Sequence, residues 1–114
     1  MKEIRAWTTR DSANLYNIAG WSSGFFRIND AGHVEVTPKG PDGPSVDLHD
    51  LVLDLQRRGL GMPLLMRFSD ILDTRVHQLF GCFENAIKEY GYRGRYRGVF
   101  PIKVNQQHQV VEEL

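Results

Sequence analysis

The sequence predicts a mixed α/β chain, and three observations carry that prediction. Apolar residues recur at helical spacing in two stretches, Leu48 to Leu55 and Leu72 to Tyr90. Short strand-like runs lie at Phe25–Thr37, at the apolar stretch Pro63–Phe68 and at Gly98–Gln107. A Pro/Gly tract, Pro38-Lys39-Gly40-Pro41-Asp42-Gly43-Pro44, separates the first of these runs from everything that follows. The expected organisation is therefore 1–37, a short helix plus a β-hairpin; 38–46, a linker; and 47–114, helices alternating with strands.

Each element has a local reason. Thr9 is placed to cap a helical turn through Asp11 to Ile18, with the Asp11 carboxylate at the positive helix end. Phe25–Asn29 and His33–Thr37 read as strands joined by the turn cluster Asn29-Asp30-Ala31-Gly32. Two strands bury little, so the hairpin is expected to need a further sheet. Ser45 or Asp47 caps the next helix, whose stripe is Leu48, Leu51, Val52 and Leu55, and Gly59 ends it. Pro63–Phe68 reads as a buried strand. A long helix from Ser69 to Tyr90 carries the stripe Leu72, Val76, Leu79, Phe83, Ile87 and Tyr90, with Gly91 as its left-handed cap. Strand, helix and strand in this order argue for parallel pairing.

Composition excludes several classes. With 14 acidic and 14 basic residues in 114, the chain carries no net charge to steer a polyanion. No run is long and apolar enough for a membrane span, and no basic-plus-apolar leader is visible. A single cysteine, Cys82, rules out an internal disulfide and suits a reducing, cytoplasmic setting; its place near the apolar stripe reads as a small core residue. His33, His49, His77 and His108 are scattered along the chain without metal-ligand spacing, so no protein-built transition-metal site is expected. Asp50, Asp54, Asp70 and Asp73 fit helix-start or solvent-facing roles.

The residue that points furthest is Lys103, set inside Gly98-Val99-Phe100-Pro101-Ile102-Lys103-Val104-Asn105-Gln106-Gln107. If that run is extended, Phe100, Ile102 and Val104 share one face, and Lys103 shares the other with Asn105. A lysine in an apolar strand has lost hydration and needs a use. A solvated surface charge is the bland alternative, and Pro101 counts slightly against a central strand. Asn105 reads either as a neighbour supporting Lys103 or as a polar strand end satisfying nearby backbone. Gln106 and Gln107 can open the next turn.

This ten-residue run resembles the cofactor-lysine strand of the biosynthetic arginine decarboxylases, pyridoxal-phosphate (PLP) enzymes of fold type III. The likeness extends over nearly the whole chain. It includes Asp11–Ile18, Gly24-Phe25-Phe26-Arg27-Ile28-Asn29, Ala31–Val36, Pro63–Phe68, Asp70-Ile71-Leu72 and Glu89–Tyr96. The resemblance implies that Lys103 forms the Schiff base with PLP, with Asn105 a further cofactor-side candidate. It implies that 47–114 begins a (β/α)8 TIM-type barrel, and that the hairpin belongs to a β-rich domain. It also implies conversion of L-arginine to agmatine and CO2 for putrescine and spermidine synthesis, association with Mg2+, and a homo-oligomer in the full enzyme. On this reading the chain is the amino-terminal piece of a longer protein and is inactive alone. The phosphate-binding loop, the acid facing the pyridine nitrogen and the guanidinium-reading groups would lie outside it.

A reading from a different class is a non-catalytic interaction module. It would be either an assembly piece that docks on the rest of the enzyme, or a small nucleic-acid binder using Tyr90-Gly91-Tyr92-Arg93-Gly94-Arg95-Tyr96-Arg97-Gly98, where arginines interleave with aromatic rings. The tract is short and lies in a neutral chain, which favours a plain helix-to-strand connection.

Overall fold

The computed structural model describes residues 4–114, which divide into two compact units, one ending at Met66 and one spanning Arg67–Leu114. The first unit is built on a three-stranded antiparallel sheet in the order β1-β2-β3, with β1 Phe26–Ile28, β2 Val34–Val36 and β3 Val46–Asp47. Phe26 pairs with Val36 and Ile28 with Val34, while Val36 also faces Val46 across β3. The expected hairpin is present, and the strand that completes it comes from the end of the Pro/Gly tract. The turn between β1 and β2 is held by Asn29. Its Oδ1 accepts from the backbone N–H of Ala31 at 3.1 Å and of His33 at 3.0 Å, and Gly32 takes the left-handed φ of 82° that a side chain resists.

Ahead of the sheet stand α1, Thr9–Leu15, and α2, Ile18–Ser22. Thr8, one residue earlier than expected, caps α1. Its hydroxyl accepts from the Asp11 N–H, and the Asp11 carboxylate accepts from the Thr8 N–H at 2.8 Å, a reciprocal capping box. The expected single turn to Ile18 is broken at Asn17, whose φ of 49° starts a new helix. Ile18, Phe25 and Val36 form the buried apolar core, with Ser22 and Thr37 buried beside them. Thr37 is satisfied by donating from Oγ1 to the Gly24 carbonyl at 2.8 Å. Asp47 caps α3, Leu48–Arg57, accepting from the N–H groups of His49 and Asp50, and Gly59 follows with a φ of 88°.

The second unit holds α4, Ser69–Glu89, a 3₁₀ turn at Ile102–Val104 and α5, His108–Glu113. Gly91, with a φ of 61°, caps α4, and the Tyr92 N–H returns to the Ile87 carbonyl at 3.0 Å.

Three expectations are corrected in these regions. Pro63–Phe68 and Gly98–Gln107 are not strands; both are irregular, the second broken by the 3₁₀ turn. A strand persists when a neighbour pairs its N–H and C=O groups. Among the described residues, the only sheet is β1-β2-β3. The α4 stripe is not buried either: Leu79 is 51% exposed and Phe83 44% exposed. Cys82 likewise lies at the surface, not in a core.

Candidate functional site

Lys103 sits in the 3₁₀ turn, closed by the Val104 N–H on the Pro101 carbonyl and the Asn105 N–H on the Ile102 carbonyl, each at 3.0 Å. Proline suits this place because its fixed φ leads into a turn and the ring has no N–H to satisfy. The turn ends the two-sided alternation that an extended strand would impose. Lys103 is exposed, and so are Phe100, Ile102 and Val104, the face expected to pack, together with Val99. Asn105 is half-buried, and its Oδ1 accepts from the Gln107 N–H at 3.4 Å, so the structure gives it a local backbone partner. Gln107, the last residue of the motif, occupies the N-cap position of α5 without a side-chain capping bond.

This arrangement offers a primary amine and little else to a cofactor. The flanking residues Pro101, Ile102, Val104 and Asn105 bring neither a cation for a phosphate nor an acid for a pyridine nitrogen. Clefts along α4 are lined by Phe83, Ile87, Tyr92 and Tyr96 on one side and by Arg75, Leu79 and Cys82 on another; Lys103 lines none of these. As built by this chain, the surroundings of Lys103 do not by themselves fit PLP. They supply a primary amine without groups that would hold the ring.

The Arg/Tyr tract folds back on α4. The Tyr96 ring stacks on Phe83 with centroids 3.9 Å apart and planes 3° apart, and meets Phe80 edge-on at 4.9 Å. Tyr90 and Tyr92 remain exposed. One of the three rings that could have stacked on bases is thus engaged in packing.

In the first unit, the fold brings together what the sequence leaves apart. His33 at the end of the β1–β2 turn and His49 in the first turn of α3 stack with ring centroids 4.2 Å apart, beside Asp47 and Asp50. His33 Nδ1 lies 2.9 Å from Asp47 Oδ2, which also accepts from Asn29 Nδ2 at 2.7 Å. Partial burial pushes the Asp47 carboxyl upward. The bonds from His33, the Asp50 N–H and Asn29 outweigh that and hold it at about 2. Sequence spacing could not show this cluster, because 16 positions separate the two histidines and a hairpin register joins them. The one local signal was Asp47-Leu48-His49-Asp50 at a helix start. His77 and His108 pair instead with carboxylates one turn away, Asp73 at 3.2 Å and Glu112 at 3.3 Å. Arg5 binds Asp11 through both terminal nitrogens, which holds that carboxyl well below its usual range; the Thr8 hydroxyl and N–H add to the effect.

Among the described residues, no helix is long and apolar enough to cross a membrane. No protein-family profile matches the chain. Individual relatives do. The chain is 56% identical over 111 residues to a protein of Gloeobacter violaceus, 51% identical over 111 residues to one of Bacteroides thetaiotaomicron, and 49% identical over 114 residues to one of Prochlorococcus marinus. All three are named biosynthetic arginine decarboxylase. These matches cover 97–100% of this chain but only 17–18% of the relatives, so the chain spans about a sixth of their length. Along nearly its entire length, the chain is homologous to one stretch of the biosynthetic arginine decarboxylases.

Proposed function

We propose that this chain works as part of a PLP-dependent biosynthetic arginine decarboxylase and that Lys103 Nζ is the cofactor's attachment point. The observation that carries the reading is identity of 49–56% to proteins of that name in matches that cover 97–100% of the chain. The substrate is L-arginine and the products are agmatine and CO2, feeding polyamine synthesis in the cytoplasm. Mg2+ and a homo-oligomeric assembly accompany the reading as family expectations. In the full protein, 47–114 opens a (β/α)8 barrel whose further strands flank the Lys103 segment.

PLP, when bound, supplies an electron sink for the pair left by the departing carboxylate. Lys103 must present a neutral, nucleophilic amine, and desolvation is the physical route to one. The exposed 3₁₀ turn does not provide that shelter, so the rest of the protein must cover it. Packing a neighbouring strand against Gly98–Gln107 would also occupy Val99, Ile102 and Val104, the apolar side chains left open here. The isolated 114 residues are accordingly expected to be inactive.

A chimera tests this. Residues 1–114 replace the matching stretch of the Gloeobacter violaceus relative, and agmatine formation is measured. Activity in the chimera, with at least a thousand-fold loss on Lys103→Ala, is expected (on the order of the loss when a covalent group is removed). A folded chimera that decarboxylates arginine equally well without Lys103 overturns the proposal.

A further inference from the structure

We propose that His33, His49 and Asp47, with Asp50 in reach, form a binding site for one borderline divalent transition ion of the Zn2+ type. The ligand atoms of these four residues lie within 4.8 Å of one another. Two atoms each about 2.1 Å from the same ion stand about 3.0 Å apart at a right angle and about 3.4 Å apart at the tetrahedral angle. The observed separations match those edges: 2.9 Å from His33 Nδ1 to Asp47 Oδ2 and 3.5 Å from His49 Nδ1 to Asp50 Oδ1. The fold has already brought two pairs of donors to coordination spacing, and closing the remaining gaps, none above 4.8 Å, completes the set.

The supporting bonds are in place as well. Asn29 Nδ2 donates to Asp47 Oδ2 at 2.7 Å, while the N–H groups of His49 and Asp50 donate to Oδ1 at 3.0 and 3.1 Å, fixing the carboxylate plane. Asn29 Oδ1 accepts from the His33 N–H and so positions that residue's backbone. On binding, the ion takes the place of the hydrogen joining His33 to Asp47, and that hydrogen moves to the other ring nitrogen. Two imidazoles with carboxylates select Zn2+, Co2+ or Ni2+; an all-oxygen shell would suit Mg2+. The site ties the β1–β2 turn to the start of α3. It thereby staples a unit whose buried apolar core is Ile18, Phe25 and Val36. It is independent of the decarboxylase reading and of any Mg2+ requirement.

The experiment is calorimetric titration of the chelator-treated chain with ZnCl2, backed by Co2+ absorption in the visible. One equivalent of Zn2+ is expected to bind, unaffected by millimolar MgCl2 and accompanied by a higher urea midpoint of tryptophan fluorescence. His33→Ala and His49→Ala should each weaken binding at least tenfold. His77→Ala and His108→Ala, which remove the two other histidine–carboxylate pairs, should leave it unchanged. His49 guards against a folding artefact, because its ring is exposed beside His33 and Asp50, and tryptophan fluorescence checks the fold of each variant. Absence of Zn2+ binding, or undiminished binding by a folded His33→Ala/His49→Ala double variant, overturns the proposal.

Discussion

Truncating Val36 and Val34 in turn separates burial from strand propensity. Both lie on β2 and both become alanine, but Val36 is fully buried whereas Val34 is 38% exposed. For Val36→Ala, two lost carbons at about 0.8 kcal/mol each give about 1.6 kcal/mol of transfer energy. A residual cavity of about 40 Å3 at about 24 cal/mol per Å3 adds about 1 kcal/mol, for a total near ~2.5 kcal/mol. For Val34→Ala, the exposed fraction lowers the transfer part to about 1 kcal/mol, and a surface site leaves no closed cavity. The two substitutions should therefore differ by about 1.5 kcal/mol, or about 1.5 M in urea midpoint at a slope of about 1 kcal/mol per M. Tryptophan fluorescence reads this unit directly, since Trp7 and Trp21 both belong to it and Trp21 lies against Phe26 at 5.4 Å. Superimposable unfolding curves for the two variants would refute the assignment of Val36 to the core.

The acid response has a defined sign. Asp47, Asp11 and Glu35 are all held below their ordinary values in the folded chain, so the stability they confer is present above those ordinary values and is lost as pH falls through the folded ones. The urea midpoint of the first unit should stay level from neutrality to about pH 5 and drop between about pH 4 and pH 2, with Asp47→Asn flattening the drop; a level profile in the unaltered chain contradicts this. Gly91→Ala meets no atom within 4 Å, so its cost is backbone strain alone at a φ of 61°. That strain should lower helical content by circular dichroism and cost about 1 kcal/mol; an unchanged melting curve would count against the left-handed cap.

The elements legible in the sequence were those set by local chemistry. The Asn29–Gly32 turn, the Asp47 cap, the Gly59 and Gly91 stops and the long α4 helix each follow from a few adjacent residues. What could not be read depends on partners distant in sequence. Pro63–Phe68 and Gly98–Gln107 carry strand-like composition, yet composition cannot supply the neighbouring strand a ladder needs. The α4 stripe shows helical spacing and remains half-open for the same reason. The His33–His49 pair was missed in the opposite way, because hairpin register brought together residues that spacing kept apart. Lys103 was singled out by its apolar surroundings and by family likeness, and neither depends on the conformation of the turn in which it lies.

Peptide mapping after borohydride reduction tests the central claim most directly. The chimeric decarboxylase carrying residues 1–114 is incubated with PLP, reduced, digested and examined by mass spectrometry. A single pyridoxyl adduct on Lys103 is the predicted result. An adduct on another lysine in an active, folded protein, with Lys103 unmodified, would contradict it.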